Sequence, residues 1–188
     1  MTSEAIISIF LGIGLAASVG FRVFLPLFAM SLAAYFEVIP LSENWQWIGT
    51  VPALIALGVA MFLEIFAYYI PFIDNMLDSI AVPLAAIAGT AVMVSTMADL
   101  SPLITWALAI IAGGGTASVV KSASAGTRLT SSVSTAGLGN PVVSTVETGG
   151  AVVMSLASIF MPFVAIILVI IILSALFWIY RKLRPKSE

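Results

Sequence analysis

Long apolar runs, separated by a few charged residues, dominate the pattern of this chain. A helix that crosses a membrane needs about 20 predominantly apolar residues. The charged residues, with a further division at Pro162 in the uncharged stretch 148–180, give six runs. The predicted spans cover residues 5–36, 51–69, 79–98, 102–120, 141–161 and 162–180. The pattern therefore predicts an all-α, polytopic transmembrane helical bundle of about six spans, with residues 1–188 forming a single integral membrane domain.

Arg22 is the one charged residue inside the first apolar run. A charge near the centre of a bilayer span costs about 2.5–3.5 kcal/mol on insertion scales, so it is rarely present without a use. Gly20 and Pro26 flank Arg22 and predict that the helix is broken at this point. A broken helix with a cation at membrane depth is typical of a transport site. The main alternative is that the first run forms a hairpin, which gives eight helices.

Composition agrees with a membrane protein and narrows its chemistry. Of the 188 residues, 61% are hydrophobic and 9% are charged, whereas soluble domains carry about 25% charged residues. The chain contains no Cys and no His, which excludes disulfides, thiol chemistry and most zinc or copper sites, and we expect no metal or cofactor. The seven Lys and Arg residues are too few to build a basic face, which argues against a nucleic-acid partner.

The distribution of Lys and Arg predicts how the chain is oriented. Residues 181–186 are strongly basic, and basic segments stay on the cytoplasmic side. With six spans the N-terminus is then cytoplasmic as well, segment 37–49 is external and segment 121–140 is internal. We therefore expect a multi-pass protein of the cytoplasmic (inner) membrane, in contact with membrane lipids. Six short helices enclose little volume, which is compatible with a homodimer.

The two halves of the chain resemble each other. Residues 14–19 are similar to residues 114–119, and residues 69–72 are similar to residues 160–163. Halves at about 4–98 and 102–181 hold three predicted spans each, so they would be inverted repeats of the kind found in many secondary transporters. The alternative is that Gly- and Ala-rich membrane helices resemble one another by chance.

Two glutamates lie inside predicted spans. Glu64 is the expected counter-ion of Arg22 or Lys121, either in a fixed ion pair or as a carrier of a proton or cation. Glu147 lies in the fifth span, shortly after Asn140 and on its inner side. These positions predict a cluster of charged residues in the cytoplasmic half of the membrane.

Asp74 and Asp78 are spaced i, i+4 and so share one helix face. They either stabilise the start of the third span, where negative charge suits the helix dipole, or take part in a site. In the second case the two carboxylates bind a cation or pair with Arg128. Asn75 could join such a site through its side-chain carbonyl.

The segment 121–141 is rich in Ser, Thr and Gly. It is either a flexible cytoplasmic loop or a re-entrant segment that lines a cavity, because non-helical backbone is tolerated where protein or water covers it. In the second case a turn at Gly126 and Thr127 could direct backbone N–H groups towards an anion.

Three motifs of the chain resemble an uncharacterised family of bacterial integral membrane proteins, the domain of unknown function 4126 (DUF4126). The motifs are Gly-Phe-Arg-Val-Phe-Leu-Pro-Leu at 20–27, then Glu64 with Ile-Pro-Phe-Ile-Asp-Asn at 70–75 and Asp78, then Ala-Gly-Thr-Arg at 125–128 with Asn-Pro-Val-Val-Ser at 140–144 and Glu147. Tyr69 departs from the family pattern, which often has Lys there, and Thr148 stands where the family often has an acidic residue. The resemblance implies no assigned activity, but its motifs contain most of the charged residues discussed above.

These observations favour a small membrane transporter, flippase or channel with a buried charged site between the two repeats. The substrate is expected to be a small anionic molecule or a lipid with an anionic group. The predicted site residues are Arg22, Glu64, Asp74, Asn75, Asp78, Lys121, Arg128, Asn140 and Glu147. The alternative is a non-transporting scaffold whose ion pairs only fix the fold. A membrane enzyme acting on lipid head groups is the weakest hypothesis, because no nucleophile motif is present, and we do not expect an enzyme.

Overall fold

The computed structural model of the protein describes residues 3–70, 73–97 and 100–183, without the side chains of Asn75 and Leu183. This part of the chain is helical and contains no strand, which confirms the predicted all-α fold. Its α-helices are α1 (Ser3–Phe21), α2 (Phe24–Tyr35), α3 (Val51–Ala67), α4 (Ile73–Thr96), α5 (Pro102–Leu108), α6 (Gly115–Thr135), α7 (Asn140–Phe160) and α8 (Pro162–Leu183). A 3-10 helix, Glu43–Gly49, precedes α3, and a π-helical segment, Ala109–Gly114, joins α5 to α6.

The lengths of these helices fit a multi-pass membrane protein. Five helical stretches of the described chain are long and apolar enough to cross a membrane, and α3 with the 3-10 helix before it makes a sixth. They follow the order of the six predicted spans. α2 is apolar but has only 12 residues, which gives it a length of about 18 Å at 1.5 Å per residue, well short of the ~30 Å hydrocarbon core.

The fourth crossing extends much further than the sequence predicts. The stretch Pro102–Thr135 is helical throughout, so the Ser- and Thr-rich segment 121–135 is neither a loop nor a re-entrant turn. Its hydroxyl groups are accommodated within the helix: Thr127, Thr130 and Ser134 each donate to the carbonyl four residues earlier, at 2.7–3.0 Å. These bonds satisfy the polar side chains locally, so they do not compete with the helix.

The small residues of α1 allow other helices to approach it closely, so that it packs against α4, α6, α7 and α8. A Cβ atom at Gly14 would overlap the side chain of Ser158 and lie 2.9 Å from Ala165 Cβ, and one at Gly20 would overlap Val120. Close backbone contact replaces the hydrophobic effect as the main attraction between helices in lipid. The core of the bundle is therefore built around α1.

The predicted break in the first apolar run is present. α1 ends at Phe21 and α2 begins at Phe24, so Arg22 and Val23 form the hinge. Pro26 explains its position, because proline has no N–H to donate to the Arg22 carbonyl and its ring clashes with that carbonyl in a continuous helix. Gly20 lies within α1 and serves close packing there.

The chain folds back at this hinge. Gly12 of α1 lies beside Met93 near the end of α4, and Met30 of α2 accepts a hydrogen bond from Ser95 of the same region. The hinge itself lies at the opposite end of the bundle, where Val23 is bonded to Glu64. The first run is therefore a helical hairpin with one short arm, as in the alternative weighed from the sequence. The described chain nevertheless has five or six helical stretches long enough to cross a membrane, not the eight segments of that alternative.

The hairpin changes the expected placement of the two chain ends. α1 and α8 run parallel: the rings of Phe10, near the middle of α1, and Phe163, at the start of α8, are 5.5 Å apart, and Ala17 packs against Val169 further along both helices. Ser3 and the end of α8 therefore lie at opposite ends of the bundle. The prediction that both termini are cytoplasmic does not agree with this course, because α2 carries the chain back towards the end of the bundle where α1 starts. The inverted repeat stays a prediction.

Candidate functional site

A group of buried charged side chains surrounds Tyr68, the residue after the last turn of α3. These side chains together with Tyr68 are called the charged cluster, which consists of Arg22, Glu64, Tyr68, Asp78, Lys121, Arg128 and Glu147. The Tyr68 ring centre lies 4.2 Å from Arg128 Cζ, 4.3 Å from Arg22 Cζ and 4.9 Å from Lys121 Nζ. Lys121 Nζ also donates a hydrogen bond of 3.1 Å to the Tyr68 hydroxyl. Each cation over the ring contributes about 0.5–2 kcal/mol.

Glu147 of α7 links the two arginines. Arg128 donates to both oxygens of its carboxylate, through Nε at 3.1 Å and through Nη2. Arg22 Nη2 lies 3.6 Å from Glu147 Oε2, and Ser124 of α6 donates to Oε1. Glu147 is therefore the counter-ion of Arg22, whereas the sequence analysis named Glu64 as the expected counter-ion of Arg22 or Lys121.

Within the described part of the chain, each of the two arginines has one nitrogen without a hydrogen-bond acceptor. Arg22 donates from Nε to Thr148 Oγ1 at 3.1 Å and from Nη2 to the Ser144 carbonyl at 3.0 Å. Arg128 donates from Nη2 to Ser144 Oγ at 3.1 Å. Both side chains are buried, yet Nη1 of each finds no hydrogen-bond acceptor among the described residues. A buried donor left unpaired costs about 1–3 kcal/mol, more when it is charged, so two of them need an explanation.

Asp78 of α4 lies at the edge of the charged cluster. Its Oδ2 is 3.9 Å from Arg128 Nε, and it interacts with the Tyr68 hydroxyl. Its Oδ1 is buried and has no hydrogen-bond donor within the described part of the chain. The carboxylate is therefore only partly satisfied.

Glu64 of α3 holds the hinge. Its Oε1 accepts the backbone N–H of Val23 at 2.7 Å, and its Oε2 accepts that of Phe24 at 2.9 Å. A carboxylate is favoured at this position because the N-terminus of α2 carries unpaired N–H groups and a partial positive charge. Among the described residues Glu64 forms no ion pair within 4.0 Å.

Asp74 and Asn140 form a second, smaller polar group. Asn140 Nδ2 donates to Asp74 Oδ2 at 2.8 Å and to Ser132 Oγ at 3.0 Å. Asp74 lies in the first turn of α4, as the capping interpretation predicts. This pair joins α4 to α7. The side chain of Asn75 lies outside the described residues.

Helix spacing explains how α6 contributes to the site. Its buried residues are Ala117, Val120, Lys121, Ser124 and Arg128. Their spacing of three or four residues places them on one helix face. This face points towards Tyr68 and Glu147, while Thr127 and Thr130 on other faces bond their own backbone. The two cations predicted in a loop are thus fixed on a helix.

Two mainly apolar clefts reach the charged cluster. The first, of about 300 Å³, is lined by residues of α6, α7 and α8 with Phe21, and its polar wall is formed by Ser124, Thr127 and Glu147. The second, of about 360 Å³, lies between α2, α3 and α4 and reaches Glu64 and Tyr68. Ligand sites commonly have volumes of ≈ 300–1,000 Å³, so both clefts are at the lower end of that range.

A family described only as a domain of unknown function, DUF4126, matches residues 9–182. The chain belongs to the DUF4126 family. No curated protein and no solved structure matches it. The family description thus names no activity for this DUF4126 protein, and its chemistry has to be inferred from the charged cluster.

Several contacting residues of this DUF4126 protein were missed by the sequence analysis. Tyr68 follows Glu64 by four residues, and this spacing on one helix face is the signal that could have found it. The neighbouring Tyr69, by contrast, bonds Thr145 at the surface through its hydroxyl. Thr148 bonds Arg22 directly through its hydroxyl oxygen.

Proposed function

We propose that this protein is a small membrane transporter whose substrate carries an anionic group that binds between Arg22 and Arg128. The observation that carries the proposal is the pair of buried Nη1 atoms without an acceptor among the described residues. An oxyanion offers acceptors to both nitrogens at once. Guanidinium groups are well suited to this because they present several donors in one plane and remain charged when buried.

The hinge supports transport over a static role. Arg22 and Val23 are adjacent, yet Arg22 is bonded to α7 and Val23 is bonded to α3. Discontinuous helices of this kind form the substrate sites of many secondary transporters, because the broken point can change its backbone angles. A substrate bound at Arg22 would therefore act at the point where α1 and α2 meet.

The end of the bundle that holds the charged cluster is proposed to face the cytoplasm. α8 ends there with Arg181 and Lys182, and basic residues favour the cytoplasmic side. The start of α1 then faces the outside of an inner membrane. Because the chain has no Cys, single Ser3→Cys and Lys182→Cys variants report this directly. An impermeant maleimide added to intact cells should label the first variant and not the second, and the reverse result would reject this orientation.

Reconstitution tests the transport proposal. The purified protein is placed in liposomes, and the uptake of inorganic phosphate and the flipping of a fluorescent phospholipid are both measured. We expect flux of at least one probe, loss of that flux in Arg22→Gln, and no change in Lys182→Gln, which alters a cation outside the charged cluster. Arg22→Lys keeps the charge and serves as the folded control. Absence of both fluxes in the wild type, or full flux in Arg22→Gln, would reject the proposal.

The scaffold hypothesis has one observation in its favour. Glu147 bridges Arg22 and Arg128, and such a network can hold α1, α6 and α7 together without moving a substrate. It predicts that Arg22→Gln destabilises the protein while the wild type shows no flux. Thermal unfolding, measured beside the flux assays, separates the two hypotheses.

A further inference from the structure

The charges of the cluster are formally balanced. Its three cations, Arg22, Lys121 and Arg128, face three carboxylates, those of Glu64, Asp78 and Glu147. Asp74 is set apart with Asn140 at the start of α4. A net charge buried away from water is expensive. A ligand that carries net negative charge would therefore disturb a balance that a ligand without net charge preserves.

The atoms of the cluster that have no hydrogen-bond partner among the described residues include both donors and an acceptor. Nη1 of Arg22 and Nη1 of Arg128 are donors without acceptors, whereas Oδ1 of Asp78 is an acceptor without a donor, all within the described residues. A simple oxyanion satisfies only the two arginines. A zwitterion, with anionic oxygens beside a cation that carries N–H groups, can satisfy all three, because its N–H groups reach the carboxylate.

The first cleft indicates how such a ligand arrives. It is lined by the apolar side chains of Phe21, Val143 and Ile172 and also by Ser124 and Glu147. Glu147 belongs to the charged cluster, and Ser124 donates a hydrogen bond to it. A free ion in water gains nothing from such a lining. A molecule with a hydrocarbon tail does, because the tail stays in an apolar environment while its head group reaches the arginines.

We infer that the substrate is a zwitterionic lipid whose cationic group carries N–H donors, with its phosphate or carboxylate at Arg22 and Arg128 and its amine at Asp78. The tail lies in the cleft between α6, α7 and α8. This inference rests on the proposed transport function and names the substrate class of the same site. Phosphatidylethanolamine has the required chemistry.

Binding to the purified full-length protein in detergent tests the inference without a flux measurement. The probes are short-chain phosphatidylethanolamine, phosphatidylcholine and phosphatidylglycerol of equal chain length, and free phosphoethanolamine. We expect the ethanolamine lipid to bind most tightly. The choline lipid, which has no N–H, and the anionic glycerol lipid should each bind about tenfold more weakly, the scale of one lost charge-assisted hydrogen bond. Phosphoethanolamine, which has no tail, should also bind at least about tenfold more weakly.

Two variants locate the site. Ala123 lines the first cleft, and Ala125 lies two residues further on α6 at similar burial but outside it. Ala123→Phe should weaken binding of the ethanolamine lipid about tenfold, the effect of blocking the tail, while Ala125→Phe should leave it unchanged. Equal binding in both variants would overturn the placement of the tail.

The outcomes separate the two proposals. Equal affinity for the glycerol and ethanolamine lipids would overturn the zwitterion inference and leave an anion transporter in place. Tight binding of phosphoethanolamine alone would overturn the lipid part. If none of the probes binds and the wild type moves neither phosphate nor lipid in liposomes, the transport function fails as well.

Discussion

Replacing Tyr68 tests whether its aromatic ring holds the three cations together. In Tyr68→Phe the ring stays over Arg22 and Arg128, and the change removes the hydroxyl that Lys121 Nζ contacts at 3.1 Å. Loss of one partner of a buried charged group costs about 1–3 kcal/mol. In Tyr68→Leu the cation–ring contacts are lost as well. Each is worth about 0.5–2 kcal/mol, but they share one ring and do not add in full.

We therefore expect Tyr68→Phe to lower the free energy of unfolding by about 1–3 kcal/mol and Tyr68→Leu by about 1–3 kcal/mol more. The assay is reversible unfolding in mixed detergent micelles, followed by circular dichroism. Tyr69→Phe and Tyr69→Leu are the matched controls, since Tyr69 is more exposed and its ring carries no such cations in the described structure. If Tyr68→Phe and Tyr68→Leu were equally stable, the ring would not stabilise the cluster and this reasoning would be wrong.

Two further substitutions test the hinge and the packing of α1. Glu64→Gln replaces one acceptor oxygen by an NH₂ group that faces a backbone donor, so the exchange of the amide hydrogens of Val23 and Phe24 should accelerate. Unchanged exchange at these two amides would contradict the capping role of Glu64. Gly14→Ala introduces a Cβ that overlaps Ser158, so the thermal midpoint should fall with a loss of about 1–3 kcal/mol. Gly149→Ala, which meets no atom within 4 Å, should be neutral or stabilising, and equal midpoints for the two variants would argue against close packing at Gly14.

The sequence predicts the crossings because membrane helices are defined by length and apolar composition, and both are local properties. It also predicts the break, since Pro26 removes a specific backbone bond to Arg22 whatever surrounds it. It could not distinguish a kink from a hairpin. That choice depends on which helix receives α2, and the bonds from Val23 and Phe24 to Glu64 are tertiary contacts.

The same limit explains the errors at the site. A Ser- and Thr-rich segment predicts a loop if its hydroxyl groups are expected to hydrogen-bond to water. Within this bundle they donate to carbonyls of the preceding helical turn instead. The pairing of charges is likewise non-local. Sequence distance offers Glu64 and Glu147 equally as counter-ions, and only the packing of α7 against α1 brings Glu147 to Arg22.

Glu64 and Glu147 have different hydrogen-bond partners, and this difference determines which contacts a bound ligand would weaken. Glu64 accepts two backbone N–H groups at the start of α2, so releasing it would remove the side-chain acceptor of both. Glu147 is shared between Arg22 and Arg128, and an anionic group bound by their Nη1 atoms would offer the same arginines a second partner. Such a ligand would loosen the contact of α1 with α7 while α2 stays fixed to α3. The hinge at Arg22 and Val23 lies between these two attachments, so any movement that the ligand drives should appear first as a change in the angle between α1 and α2.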